Sequence, residues 1–277
     1  MIVIRPCDGL DELEACVQLQ IQTWGYEASY VTPRKAFKVV QRVGGQVLGA
    51  FDTELPGAQE QGGPESLVGF LMAQPGVKIC NGKPMPYLHS DMMAVREAYR
   101  NRGLGVQLKM EQRIEALSRG IRLIEWTFDP LEIKNAFLNI HKLGAIVCCY
   151  LVNFYGVSSS QLQGGLPTDR LVAEWRLDSS RVQAILERHP AAARIIEEKI
   201  QERILVPASI YQWKASEASR ERALTVQLEN RNKFQKAFSQ GLAALGFSRD
   251  AEGNGIFELG LRPQTEQAEN PKERKNL

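Results

Sequence analysis

The sequence predicts an α/β (α+β) fold: a mixed central sheet flanked by helices, followed by a smaller helix-rich α+β domain. Three observations predict it. Apolar runs of strand length alternate with stretches whose apolar residues recur at helical spacing. Two of the strand runs, Leu67 to Ala73 and Pro86 to Val95, are joined by a turn through Asn81-Gly82, so a hairpin sits among passages that alternate strand and helix. From Asp178 the pattern changes to helices separated by a proline and then one long amphipathic helix. At 277 residues the chain is long enough for two modest domains. The division expected is 1–177, 178–262 and a polar, frayed tail over 263–277.

Ile2 to Arg5 reads as the first strand, and Asp8 opens a helix whose apolar positions Leu10, Leu13, Val17 and Ile21 recur at helical spacing. A second helix starts after Thr32 with Pro33 in its first turn and runs to about Val43. Gln46 to Phe51 alternates as a strand, and the Gly-, Pro- and Glu-rich stretch from Thr53 to Ser66 reads as an exposed loop to its partner Leu67 to Ala73. After the strand Pro86 to Val95 comes a helix from Gly103 to Arg119, a buried strand Ile121 to Phe128, and a helix from Ile133 to Leu143. Strands Ala145 to Phe154 and Arg170 to Leu177 complete the first domain. The second is expected to hold helices Ser179 to His189 and Ala191 to Gln201, a short strand Arg203 to Val206, and a helix from Ser216 to Leu245. Leu224, Leu228, Phe234, Phe238 and Leu242 would lie on one side of that long helix, Gly246 would end it, and Gly255 to Leu261 would be a last strand.

Composition narrows the function. The apolar fraction of 44% and charged fraction of 24% are those of an ordinary soluble protein, and no apolar run approaches the ~20 residues that cross a bilayer. The N-terminus shows no export signal pattern, and the five scattered cysteines read as reduced, mostly buried thiols; both point to a cytoplasmic protein. Adjacent Cys148 and Cys149 should face opposite sides of a strand, which disfavours a shared metal. No metal site is expected. A formal charge of +2, with lysine and arginine dispersed, leaves no nucleic-acid footprint.

The segment Val95 to Gly105, VREAYRNRGLG, carries the chemistry. It follows the apolar run Met92-Met93-Ala94-Val95 and precedes an amphipathic pattern from Val106 to Leu117, giving strand, turn and helix. Gly103 and Gly105 let backbone N–H groups approach a ligand closely, and the helix adds its positive N-terminal end. Arg100 and Arg102 add donors suited to phosphate oxygens. The segment is neither a P-loop, which needs Gly-Lys-Ser/Thr, nor a three-glycine dinucleotide turn.

Arg100-Asn101-Arg102-Gly103-Leu104-Gly105 resembles the (Arg/Gln)-x-x-Gly-x-(Gly/Ala) loop of the GNAT acetyltransferase superfamily, and Asn135 to Gly144, NAFLNIHKLG, resembles that family's downstream helix, with Ala136 at its small position. The likeness extends over roughly Ile2 to Leu177 and is strongest with a bacterial branch of GNAT-like proteins. It implies acetyl-CoA as cofactor, with Met93, Ala94 and Val95 holding the pantetheine arm and Arg100, Asn101, Arg102, Gly103, Leu104 and Gly105 the pyrophosphate. It also implies direct acetyl transfer to an amine without a covalent cysteine intermediate. Two positions depart from the family pattern: Ile140 stands where the general-acid tyrosine is common, and Ala145 where an aromatic usually follows the glycine.

For a general base the candidates are Glu125, Asp91, His89 and Asp129. Glu125 leads because the run Leu123-Ile124-Glu125-Trp126 would bury it and raise its pKa. The alternatives for it are a solvent-facing position or a charge partnered to an arginine, and Asp129 reads as a cap on the strand-to-helix turn. For the acid, Tyr150, Tyr155 or a water would replace the absent tyrosine. Asn135 and Asn139, one helical turn apart, would share a face, and the resemblance implies that this helix runs beside the cofactor, with a capping or surface role as the alternative for Asn135. Trp24, Trp126, Phe128 and Trp175 are candidates for an acceptor pocket, or for core. The expected partner is a small-molecule or peptide amine, with neither nucleic acid nor membrane, and a homodimer is a possibility. The expected function is acyl-CoA-dependent N-acyltransfer. Its rivals are a CoA- or ligand-binding protein without turnover and a scaffold that works through its C-terminal domain.

Overall fold

The computed structural model describes residues 1–55, 60–80, 82–156, 163–188 and 200–263. Asn81, much of the loop between Gly156 and Pro167, most of the helix expected from Ala191, and the tail lie outside them. Two compact units emerge. The first holds Met1–Val77 and Pro86–Ile124, and the second holds Lys78–Met85 and the described residues from Glu125 onward. The division therefore does not fall at Asp178. Strand pairing explains the difference: Val147, well before Asp178, pairs with Ala244 well after it, so the change in composition marks no break in packing.

In the first unit β1 (Ile2–Pro6), β2 (Gln46–Asp52), β3 (Leu67–Cys80) and β4 (Lys83–Val95) are neighbours in that order. β1 and β3 both run antiparallel to β2, with Val3 opposite Phe51 and Leu48 opposite Leu71. β3 and β4 are longer than the apolar runs that predicted them, continuing to the turn as half-exposed strands. Helix α1 (Gly9–Trp24) is capped by the Asp8 carboxylate, which accepts from the Gly9 N–H at 2.8 Å. Glu12 accepts from the Asp8 N–H and pairs with Arg5 at 2.6 Å, tying the helix start to β1. Leu13 and Val17 are buried as expected, but Leu10 and Ile21 are exposed; Cys16 and Gln20 complete the buried stripe instead. Helix α2 (Arg34–Arg42) begins just after Pro33.

β2 was expected to alternate, yet it is buried on both faces. The reason is that helices cover both sides. Val47 and Phe51 join a cluster with Leu13, Val17, Phe37 and Val40 from α1 and α2, while the Gln46 amide donates to the Gln112 carbonyl of α3 (Leu104–Ser118). Just before β2, a Cβ on Gly45 would collide with the Ala73 carbonyl oxygen and Val40 Cγ1. Gly45→Ala should therefore lower stability by about 1–3 kcal/mol in urea unfolding, with little change in the m-value.

In the second unit the order is β7 (Arg170–Arg176), β6 (Ile146–Leu151), β9 (Leu242–Arg249), β10 (Gly255–Leu261) and β8 (Ile200–Val206), each neighbouring pair antiparallel. β5 (Leu123–Phe128) begins in the first unit and continues in the second. α4 (Ile133–Ala136) continues as a π-helical turn over Phe137–Lys142. α5 (Ser180–Leu186) starts at Ser179, whose hydroxyl accepts from the Val182 N–H. Two further helices are α6 (Ile210–Ala215) and α7 (Arg220–Ser239).

The long helix expected to reach Leu245 stops at Ser239. Gly241, at φ +80°, turns the chain, and Leu242 to Leu245 begin β9 with Gly246 inside the strand. The buried side of α7 is Ala223, Gln227, Asn230, Phe234 and Ala237, while Leu228 is exposed. Two amides make that face compatible with burial: Gln227 donates to the Pro167 carbonyl and Asn230 to the Leu205 carbonyl. Ile200 and Gln201, expected to end a helix, instead open β8.

Candidate functional site

β4 ends at Val95, and Arg96 leads into a single 3₁₀ turn at Glu97–Tyr99. The Tyr99 hydroxyl donates to Asp52 at 2.7 Å, anchoring the loop to the end of β2 and holding the Asp52 carboxyl below its usual range. Arg100 Nε donates back to the Val95 carbonyl. Asn101 and Gly103 both adopt left-handed conformations, at φ +62° and +81°. Gly103 is the N-cap of α3 and brings no capping side chain, so the first-turn amides that follow have no helical acceptor. Around this cradle stand Arg100 and Arg102, both exposed, and the buried Arg96 Nε, which has no hydrogen-bond partner among the described residues. Arg102 lies over the Tyr99 ring, 5.6 Å from its centroid. First-turn amides without a helical acceptor and three guanidinium groups, one of them with an unsatisfied buried N–H, form a donor set suited to a pyrophosphate.

Upstream on β4, Ala94 is buried, Met93 and Val95 are half-buried, and His89 is half-buried. Asp91 is exposed and accepts from the Gln74 amide at 3.3 Å. It borders a cavity of about 440 Å³ whose apolar lining includes Ala36, Val39, Val40 and Met72. Between His89 and Asp91, the Ser90 hydroxyl points the other way and accepts from the Lys109 ammonium at 2.8 Å. Lys109 is fully buried on α3, and loss of solvent pushes its pKa down to about 7.

The remaining candidates lie in the second unit. Glu125 is buried as expected, but its carboxylate forms an ion pair with Lys78. That is the partnered-charge alternative, with lysine in place of arginine. The Tyr150 hydroxyl donates to Asp169 at 2.6 Å, and burial together with that bond raises its pKa well above the ordinary range. Tyr155 shares a hydrogen bond with Thr127. Asp129 accepts from the Leu131 N–H, as a turn cap does, and also pairs with Lys214. Ile140 is buried and brings no hydroxyl. Asn135 and Asn139 do not share a face. The π turn starting at Phe137 changes the angle per residue, leaving Asn135 exposed and Asn139 buried. Trp126, Phe128 and Trp175 are core, with Trp126 and Trp175 meeting edge to face at 6.1 Å. Trp24 is half-buried and stacks on Tyr26.

NAA60 from Arabidopsis thaliana in complex with acetyl-CoA shares the fold at a TM-score of 0.51, with 18% identity over 65% of this chain and 100% of that one. The chain has a GNAT fold. The Escherichia coli ribosomal-protein-S18-alanine N-acetyltransferase is also similar, with a TM-score of 0.48, 15% identity, and coverage of 65% and 96%. So is yncA from Salmonella typhimurium, a putative acetyltransferase with its cofactor acetyl-CoA, at 0.48, 17%, 65% and 95%. No family model and no curated protein matches the sequence.

On the GNAT fold the expected site residues divide between the two units. His89, Asp91, Met93 to Val95 and Arg100 to Gly105 belong to the first, and Glu125, Asn135, Asn139 and Tyr150 to the second. Sequence reading missed the cavity beside α2 and the buried Lys109. The cavity has no motif, because its lining comes from three separated segments. Lys109 sits one residue from Leu108 inside α3, where it and Gln112 are both buried, and a polar residue beside an apolar one on a helix does not by itself announce burial. Among the described residues no cluster of His, Cys, Asp or Glu could hold a metal, and no helix is long and apolar enough to cross a membrane. All five cysteines are unbridged, with only Cys7 and Cys16 fully buried.

Proposed function

We propose that this chain is an acyl-CoA-dependent N-acyltransferase that moves an acetyl group from acetyl-CoA directly to an amine. The observation that carries the reading is the Arg100–Gly105 cradle. Two left-handed residues, Asn101 and Gly103, lead into α3, whose first-turn amides have no capping side chain, and Arg96 leaves a buried N–H without an acceptor. Acetyl-CoA would supply the thioester whose C–S bond breaks as the C–N bond forms. Met93 to Val95 would offer strand backbone to the pantetheine arm, and Arg96, Arg100 and Arg102 would hold the phosphates.

The amine reaches neutral solution as an ammonium and must lose a proton before it attacks. Of the candidates, His89 and Asp91 share a strand with Met93, whereas Glu125 would have to leave its ion pair with Lys78 to accept one. His89 and Asp91 are therefore the residues we assign to handling that proton. Ile140 has no proton to give and the Tyr150 proton is held by Asp169, which leaves Tyr155 or a water to protonate the leaving thiolate.

Calorimetric titration with acetyl-CoA tests the first half. Arg100→Glu combined with Arg102→Glu changes two exposed side chains and leaves the Gly103 backbone intact. The dissociation constant should rise at least about tenfold, equivalent to ~1.4 kcal/mol. Absence of wild-type binding at millimolar cofactor would overturn the reading. Ile140 and the occupied Tyr150 hydroxyl favour a second reading, a CoA-binding protein without turnover. Thiol release with an amine panel separates the two: binding without release supports the second.

A further inference from the structure

The cavity beside α2 has a composition that selects its occupant. Its floor is apolar and buried, formed by Val40 and Met72, and its wall continues through Ala36 and the half-exposed Val39. At one edge stand the Asp91 carboxylate and the Gln74 amide, bonded to each other at 3.3 Å. Among the described residues Asp91 makes no ion pair, so it offers an anionic oxygen at the mouth of an apolar hollow. One further charge lines the cavity, and it is positive: Lys35, exposed on the first turn of α2. The depression is open to solvent along the exposed Lys35, Val39, Gln74 and Asp91, and its volume of about 440 Å³ has room for a small molecule.

A single carboxylate at the mouth matches one ammonium group. An apolar floor matches a hydrocarbon body, which gains from leaving water. Lys35 opposes a second positive charge on the same ligand. The pattern fits neither a polyamine, which needs several carboxylates, nor an acidic ligand, which Asp91 would repel. Asp91 also lies two residues before Met93 on the same strand, roughly 7 Å along it, which places the ammonium near the strand segment assigned to the pantetheine arm.

We infer that this cavity binds the acceptor, and that the acceptor is a monoamine with an apolar body, its ammonium on Asp91 and its hydrocarbon against Met72, Val40 and Val39. The inference rests on the N-acyltransferase reading for the fate of the amine. Its binding claim stands on the cavity alone.

A homologous series tests it. Propylamine, butylamine, pentylamine and hexylamine are titrated by saturation-transfer NMR without cofactor, beside hexane-1,6-diamine as the matched dication. Affinity should rise about threefold to fourfold per methylene, and the diamine should bind at least tenfold more weakly than hexylamine. Asp91→Asn should weaken hexylamine at least tenfold while the acetyl-CoA dissociation constant stays unchanged, and Lys35→Ala should narrow the gap between diamine and hexylamine. Where turnover is seen, Asp91→Asn should raise the KM for hexylamine and, because Asp91 is also assigned to the proton, lower kcat as well. Affinity independent of chain length, preference for the diamine, or indifference to Asp91→Asn would overturn the inference. If acetyl-CoA fails to bind while the amine series behaves as stated, the N-acyltransferase reading falls and the monoamine site remains.

Discussion

Replacing Asp169 by alanine is expected to destabilise the protein by about 3–5 kcal/mol, the range found when one partner of a buried ion pair is removed. Asp169 has no exposed surface. One carboxylate oxygen accepts from the Tyr150 hydroxyl at 2.6 Å and from Arg231 Nε at 2.8 Å, and the other from the second Arg231 nitrogen and the Asn153 N–H, both at 3.0 Å. Four donors lose their acceptor together. Arg231 keeps about a fifth of its side chain in solvent and can recover some hydration, whereas Tyr150 is largely enclosed. Urea unfolding reads the loss as a lower midpoint at constant slope. Tyr150→Phe removes only one hydrogen bond and should cost about 1 kcal/mol. A change below 1 kcal/mol for Asp169→Ala would mean that water replaces the carboxylate easily, and that these residues do not fix the loop at Asn153. A fall in kcat for Tyr150→Phe, with the fold intact, would return Tyr150 to the role of acid.

The elements legible in the sequence were those whose signal is local. Asp8 caps α1 because a short carboxylate reaches a first-turn N–H, and Gly103 is required where α3 starts because the backbone there is left-handed. Such constraints act within a few residues and leave a mark in the chain. The end of α7 was illegible because Leu242-Ala243-Ala244-Leu245 suits a buried helix as well as a buried strand. The choice is made by pairing with β6 and β10, far away in sequence. The same limit governed the site. The glycine turn at the start of α3 is contiguous and so was legible, whereas Glu125 was correctly read as buried but its partner Lys78 lies 47 residues away. Asn135 and Asn139 were placed by counting ordinary helical turns, which the π turn at Phe137 invalidates. The cavity at Asp91 depends on α2, β3 and β4 meeting, so nothing near Asp91 announced it.

Lys109→Met is expected to be more stable than the wild type at pH 6, with the advantage disappearing as the pH is raised toward 10. The Lys109 pKa falls from its ordinary 10.5 to about 7 because burial removes solvent from the ammonium. Between those values the unfolded chain holds one more proton at this position than the folded chain does, so wild-type stability rises with pH across the window. The slope from this one group is at most ~1.4 kcal/mol per pH unit. Below pH 7 the folded state must keep a charged amine in the interior, and the full desolvation penalty applies. Methionine has a similar length and no charge, so its profile lacks that slope, while every other titrating group is common to both proteins. The substitution removes the donors that Lys109 gives to Ser90 and Gln112, but Ser90 still receives a bond from the Gln112 amide at 3.4 Å, which limits the loss. Urea midpoints at pH 6, 7.5 and 9 for the two proteins decide the matter. Parallel profiles would mean that Lys109 keeps its proton across the range, so the bonds to Ser90 and Gln112 would then be holding a charged ammonium. A difference that narrows with pH would mean that this amine is mostly neutral above pH 7, immediately behind the strand that carries His89 and Asp91.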